Sequence, residues 1–156
     1  MAKPTSKKLK YALPPALEGH IDQSRYEKWL RRKASAHYRG DIKRFGQKHN
    51  AELYRNMIHA AVGASGGRDF YTGELLHWDK ISTYDNAASK LGKSKYKAEF
   101  ALLPSLDHVW KDDGTFAFVI CGWRTNDAKA DLPLEELLAL CERILTNHGY
   151  VVQRPS

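Results

Sequence analysis

Two β-prone runs flank an Asp-Gly pair in this chain. The stretch LPSLDHVW (103–110) leads into KDDGT (111–115), and FAFVICGW (116–123) follows. Asp113-Gly114 between such runs favours a hairpin, because both residues tolerate the backbone angles of a tight turn. Pro104 cannot donate to a ladder, which places it at an edge or a bend. Helical signals resume around Asn126. The local order is therefore strand, turn, strand, helix, and it constrains the fold more than any other feature.

The remaining segments are read by the same rules. MAKPTSKKLKYALPPALEGH (1–20) mixes Lys, Pro and Ser, and Pro14-Pro15 blocks a helix, so it reads as a tail. A helix is expected from Ser24, with Ser24 and Glu27 as a capping box. Its apolar stripe is Tyr26, Trp29, Leu30, Lys33, Ala34 and Tyr38, with Gly40 as a break or bend. A second helix is expected from an Asn50 cap through Val62, ending at the Gly63–Gly67 stretch GASGG, read as a flexible joint. RDFYTGELL (68–76) reads as a short strand with a turn at Thr72-Gly73. DKISTYDNAASK (79–90) reads as irregular with a short helix from Asn86, and KYKAEFALLPSL (95–106) as a strand-like approach to Asp107. A last helix starts near Pro133, carries Leu134, Leu137, Leu138, Cys141, Ile144 and Leu145 as a buried stripe, and stops at Gly149.

The chain has 156 residues, the size of one ordinary domain with at most a small appendage. No apolar run approaches the ~20 residues that cross a bilayer, and no apolar segment follows the basic N-terminus as in a secretory signal. The two cysteines, Cys121 and Cys141, both sit in apolar surroundings. Buried thiols of that kind suit a cytoplasmic protein and exclude a four-cysteine zinc site.

The net charge of +7 is uneven. Residues 1–50 carry 13 Lys/Arg against 4 Asp/Glu, a balance of 13 − 4 = +9, and residues 51–156 carry 12 against 14, a balance of 12 − 14 = −2. A basic N-terminal third on a near-neutral body points to a polyanion partner, nucleic acid first, with a merely solvated basic arm as the alternative. Arg31, Arg32, Arg39 and Lys43 are the candidate phosphate contacts on the first helix.

Asp107, His108 and Asn126 each have an ordinary reading: a strand acid, a structural imidazole, a helix cap. Together they form a chemical set. Phosphodiester hydrolysis needs an activated water, charge compensation at phosphorus and help for the leaving oxygen. A hard divalent cation answers the last two needs and prefers a few protein oxygens while keeping waters and phosphate oxygens. A carboxylate and an amide oxygen suit it, and a neutral imidazole suits the base.

The residues SLDHV…RTNDAK resemble the HNH endonucleases of the ββα-metal fold, in which a hairpin packs on a helix and the first strand carries Asp-His or His-His. The resemblance covers about residues 68–145. It implies His108 as general base, Asp107 and Asn126 as ligands of one Mg²⁺ or Mn²⁺ ion, and Lys129, in the Asn-x-x-Lys spacing, as a phosphate contact or a solvated lysine. Many members carry a C-x-x-C-G knuckle where this chain has Phe70–Leu76; Gly73 keeps the turn, but Tyr71 and Thr72 stand in the cysteine positions. The resemblance therefore implies no structural zinc, with packing by Tyr71, Leu75, Leu76 and Trp123 replacing it.

Three further candidates carry two readings each. Arg124 is a scissile-phosphate contact or a salt-bridge partner. His77 and Glu74, beside the Thr-Gly turn, reach the site or stay structural. Lys90, Lys93, Lys95 and Lys97, with Tyr84 and Tyr96, follow a backbone or form a solvated loop. The expectation is an α+β protein with a tail (1–20), a basic helical region (21–63) and a ββα-metal core (68–150). Its expected activity is metal-dependent cleavage of DNA. A catalytically inactive nucleic-acid-binding module of the same fold is the alternative.

Overall fold

The hairpin forms where the turn signal puts it. In the computed structural model, which describes residues 9–46 and 49–156, β1 (Pro104–Trp110) pairs antiparallel with β2 (Phe116–Gly122). Asp107 stands opposite Val119 and His108 opposite Phe118. Lys111 N donates to Thr115 O at 2.8 Å, and Gly114 takes φ +80° in the turn, a region that glycine enters without penalty. Pro104 is the first residue of β1, where its missing N–H is tolerated.

Five α-helices accompany this sheet among the described residues: α1 (Gln23–Phe45), α2 (Ala51–Ser65), α3 (Asn86–Glu99), α4 (Trp123–Lys129) and α5 (Leu134–Asn147). The molecule is thus mixed α+β. The α1 cap is Asp22, which accepts from Arg25 N at 2.7 Å, rather than Ser24; Glu27 instead accepts from Gln23 Nε2. Gly40 lies inside α1 without ending it. The Asn50 cap of α2 is as expected, its side chain accepting from Leu53 N. Gly66 ends α2 in the left-handed conformation, so GASGG is a helix stop. The strand expected over 95–99 is helical, the second part of α3, which kinks at Lys93.

Helix α1 buries Tyr26, Trp29, Leu30 and Ala34, and α2 buries Tyr54, Ile58 and Val62. Those side chains form one cluster with Leu106, Phe118 and Ile120 of the hairpin and with Leu76, Trp78 and Ile81 of the intervening loop. Trp29 and Trp78 meet edge to face at 5.2 Å, a preferred aromatic geometry. Burying each large apolar side chain favours folding by about 1.5–3 kcal/mol. The basic helices and the hairpin therefore share a single core and do not divide near residue 65. The expected N-terminal tail is also corrected over residues 9–20: Leu17 is fully buried, and Gln23 holds the chain at Tyr11 O and Leu13 N. Residues 1–8 and 47–48 lie outside the described residues.

Helix α2 packs on β2, and α4 packs on both strands. Helix α5 departs from its expected role. None of its residues is buried, and Leu138, Ile144 and Cys141 are exposed. Only Cys121 is a buried thiol, its ionisation pushed up to about 12 by burial, then by Asp107 and Asp69. No described helix is long and apolar enough to cross a membrane.

Candidate active site

Alternation along β1 sends consecutive residues to opposite faces. Leu106 and His108 face the helices, where Leu106 joins the core. His108 Nε2 lies 2.8 Å from Asp41 Oδ2 of α1. Asp107 faces the other way, towards α4 and the 69–73 turn. Its Oδ2 lies 2.9 Å from Lys129 Nζ and accepts from the Tyr71 hydroxyl at 2.5 Å.

Although they leave the strand on opposite faces, Asp107 and His108 both reach one open pocket of about 510 Å³ beside the strand. Asn126 of α4 lines the same pocket, as do His37, Asp41 and Arg44 of α1. Asn126 Nδ2 donates to Ser105 Oγ at 3.3 Å, which turns the opposite pole of the amide, Oδ1, away from that bond. The three residues that the motif joins are thus together in space.

Aromatic rings wall the imidazole. Its centroid is 4.8 Å from Phe118 and 4.9 Å from Phe116, and Trp110 stacks at 5.9 Å. His37 lies 5.6 Å away, with its own ionisation lowered to about 4 by burial first and then by His108 and Lys33. His37 is therefore neutral near pH 7. Asp41 is 3% exposed and also accepts from the Tyr54 hydroxyl at 2.7 Å. Burial, followed by that bond to Asp41, raises the Tyr54 phenol well above its usual value. Tyr71 is raised for the corresponding reasons, burial first and then Asp107.

Among the described residues no group of three or more His, Cys, Asp or Glu side chains is arranged to hold a metal ion. The Asp107 and Asn126 oxygens fit a hard divalent cation in a narrower sense. They supply two oxygen donors on an open pocket, and a cation of the magnesium class completes its shell with water and phosphate. Lys129 and Tyr71 already engage one Asp107 oxygen, so the carboxylate is partly neutralised before any cation arrives.

Lys129, Arg124, Glu74 and His77 lie outside the lining of that pocket. Lys129 is 6% exposed, sits 5.7 Å from the Tyr71 ring centroid and faces Asp107, so it is neither a phosphate contact on the surface nor solvated. Arg124 pairs with Glu74 at 2.6 Å on the exposed side, and neither lines the pocket, which matches the salt-bridge reading of Arg124 and the structural reading of Glu74. His77 does not line it either. Arg31, Arg32, Arg39 and Lys43 are exposed. None of these four residues lines the pocket. Arg44 is the basic residue of α1 that lines the pocket.

Sequence reasoning missed Asp41, His37 and Arg44. The signal for Asp41 was an acid on the buried stripe: Leu30, Ala34, His37 and Asp41 follow helical spacing on one face. It also missed the group that ties down the turn. Asp69, 2% exposed, accepts from Tyr71 N and Thr72 N through Oδ1 and from Gly122 N and the Thr125 hydroxyl through Oδ2. This carboxylate joins the turn to the β2–α4 junction, work expected of side-chain packing alone. A Cβ at Gly122 would crowd this junction, standing 3.0 Å from Ala101 O and 3.1 Å from Asp69 Oδ2.

No protein-family model, curated protein or solved structure matches the chain.

Proposed function

We propose that the protein is a metal-dependent nuclease that hydrolyses phosphodiester bonds, DNA being the expected substrate. The observation that supports this best is the convergence of Asp107, His108 and Asn126 on one open pocket, from two strand faces and a separate helix. His108 takes the proton of the attacking water. Asp107 and Asn126 hold one divalent cation of the Mg²⁺ or Mn²⁺ class, which when bound would offset charge on the phosphate and assist the leaving oxygen. Arg44, on the pocket wall, meets the incoming phosphate. The aromatic rings around His108 limit water on its far side.

The reading as an inactive nucleic-acid-binding module has one observation in its favour. Asp107 is already paired with Lys129 and hydrogen-bonded to Tyr71, as a purely structural acid would be. Incubation of the protein with supercoiled plasmid separates the two. A nuclease nicks or linearises the plasmid with Mg²⁺ or Mn²⁺ and leaves it intact in chelator. Intact plasmid with either metal, alongside retained binding, supports the inactive module.

A further inference from the structure

The nuclease reading leaves Asp41 unused. It belongs to α1, far from the hairpin in sequence, yet its carboxylate is 3% exposed and stands 2.8 Å from the imidazole. Burying a charge is costly, and well-packed apolar residues commonly replace buried ion pairs at no loss. Neighbouring aromatic side chains show that apolar packing is available here: Phe118 lies 4.8 Å from His108, and Tyr54 lies 5.8 Å from Phe118. A carboxylate at this position therefore needs a reason beyond filling space.

Its geometry supplies one. An ionised carboxylate only accepts hydrogen bonds, so the bond to Nε2 requires the hydrogen on that nitrogen. In the neutral ring Nδ1 is then the unprotonated atom that can accept a proton. The Tyr54 hydroxyl donates to the same Asp41 oxygen and holds the carboxylate in place from α2. His37, the other imidazole beside His108, is neutral near pH 7 and adds no competing charge.

We infer that Asp41 is a positioning residue that locks His108 in the Nε2–H tautomer, so that α1 completes the candidate active site rather than serving only as a basic arm. The inference rests on His108 acting as the base, but its first test does not need cleavage. In the intact protein, at alkaline pH where the ring signals no longer change with pH, long-range ¹H–¹⁵N spectra report which ring nitrogen of His108 carries hydrogen. His108→Gln assigns the signal. The expected result is Nε2–H; Nδ1–H as the main form overturns the inference, whether or not the protein cleaves DNA.

The second arm is Asp41→Asn, whose amide can donate to Nε2 and so favours the wrong tautomer. If the parent cleaves plasmid, kcat in this variant should fall by about 10²-fold, the lower end of general-base contributions, with KM for DNA unchanged. The tautomer should shift with it, and Asp41→Glu should restore part of the rate. Loss of cleavage with the Nε2–H form retained would make Asp41 a structural tether and overturn the positioning role. A parent that shows Nε2–H but never cleaves removes the nuclease reading while the lock itself stands.

Discussion

Asp107 and Lys129 form an ion pair of 2.9 Å whose side chains are 11% and 7% exposed. The pair lies where the candidate cation of the proposed nuclease would bind, so on that reading the ammonium would hold the carboxylate's charge until metal and phosphate bound. Breaking a buried pair costs about 3–5 kcal/mol. Lys129→Met should therefore lower the melting temperature by about 6–20 °C, at 2–4 °C per kcal/mol for a chain of this size. Excess Mg²⁺ should recover part of that loss in the variant by binding the exposed charge, while the parent without nucleic acid responds little. Thermal unfolding with and without Mg²⁺ checks both. An unchanged melting temperature in the variant would mean that the pair does not form.

Asp69 fastens the 69–73 turn through four hydrogen bonds, two of them to each carboxylate oxygen. Hydrogen bonds to a charged group contribute about 1.5–3 kcal/mol each, and orphaned buried donors add a penalty. Asp69→Ala should destabilise by at least about 3 kcal/mol in a denaturant titration. Purified protein should contain no stoichiometric zinc by elemental analysis, and chelator should leave its unfolding midpoint unchanged.

The sequence revealed what depends on neighbours in the chain. Asp113-Gly114 specifies the hairpin because turn angles are local, and Asn50 specifies a helix start because a cap bonds to the residue three places on. Asp22 and Ser24 are both good caps two positions apart, and only the completed fold selects Asp22. The stripe of α5 shows the limit of amphipathicity: the pattern says that a face is apolar, and the fold leaves Leu138 and Ile144 exposed. Asp107, His108 and Asn126 could be grouped in advance as a candidate site, and they line one pocket, because they sit within one short supersecondary unit. Asp41 was not, because its bond to His108 spans 67 positions and leaves no trace in local pattern. Lys129 was misread for the same reason, and the two readings of Arg124 could not be separated, since their partners Asp107 and Glu74 are chosen by tertiary packing.

The basic residues of α1 should separate into two roles. Arg31, Arg32 and Arg39 are exposed and do not line the pocket, so they would hold backbone without touching the scissile group. Neutralising all three should flatten the plot of log affinity against log salt by up to about 2.7, at 0.9 per phosphate contact. The single-turnover rate at saturating protein should not change. Arg44→Ala should do the reverse, lowering that rate about 10-fold, as expected for one lost charged hydrogen bond, with little change in slope. Equal effects of both changes on rate would contradict the division.

His37 makes stability depend on pH. Its ionisation is lowered to about 4 in the folded chain, against an ordinary imidazole value of about 6.5. The unfolded chain therefore takes up the proton first as pH falls. Stability contributed by the neutral buried ring is complete above about 6.5 and is lost progressively as pH drops towards 4. Burial lowers His59 as well, in the same direction. Urea midpoints measured across this window should fall with pH, and less steeply in His37→Phe, which keeps a ring against Phe118 without the proton site. An identical pH dependence in the variant would assign the acid sensitivity elsewhere.

His108 is the residue on which the nuclease reading turns, and the rate of plasmid cleavage by His108→Ala at saturating Mg²⁺ or Mn²⁺ tests it most directly. Removing a general base should slow cleavage by about 10²–10⁴-fold. DNA affinity measured in chelator should stay within a few-fold, and added metal should not restore the rate, because the Asp107 and Asn126 oxygens are untouched. A His108→Ala protein that folds and cleaves like the parent would contradict the account.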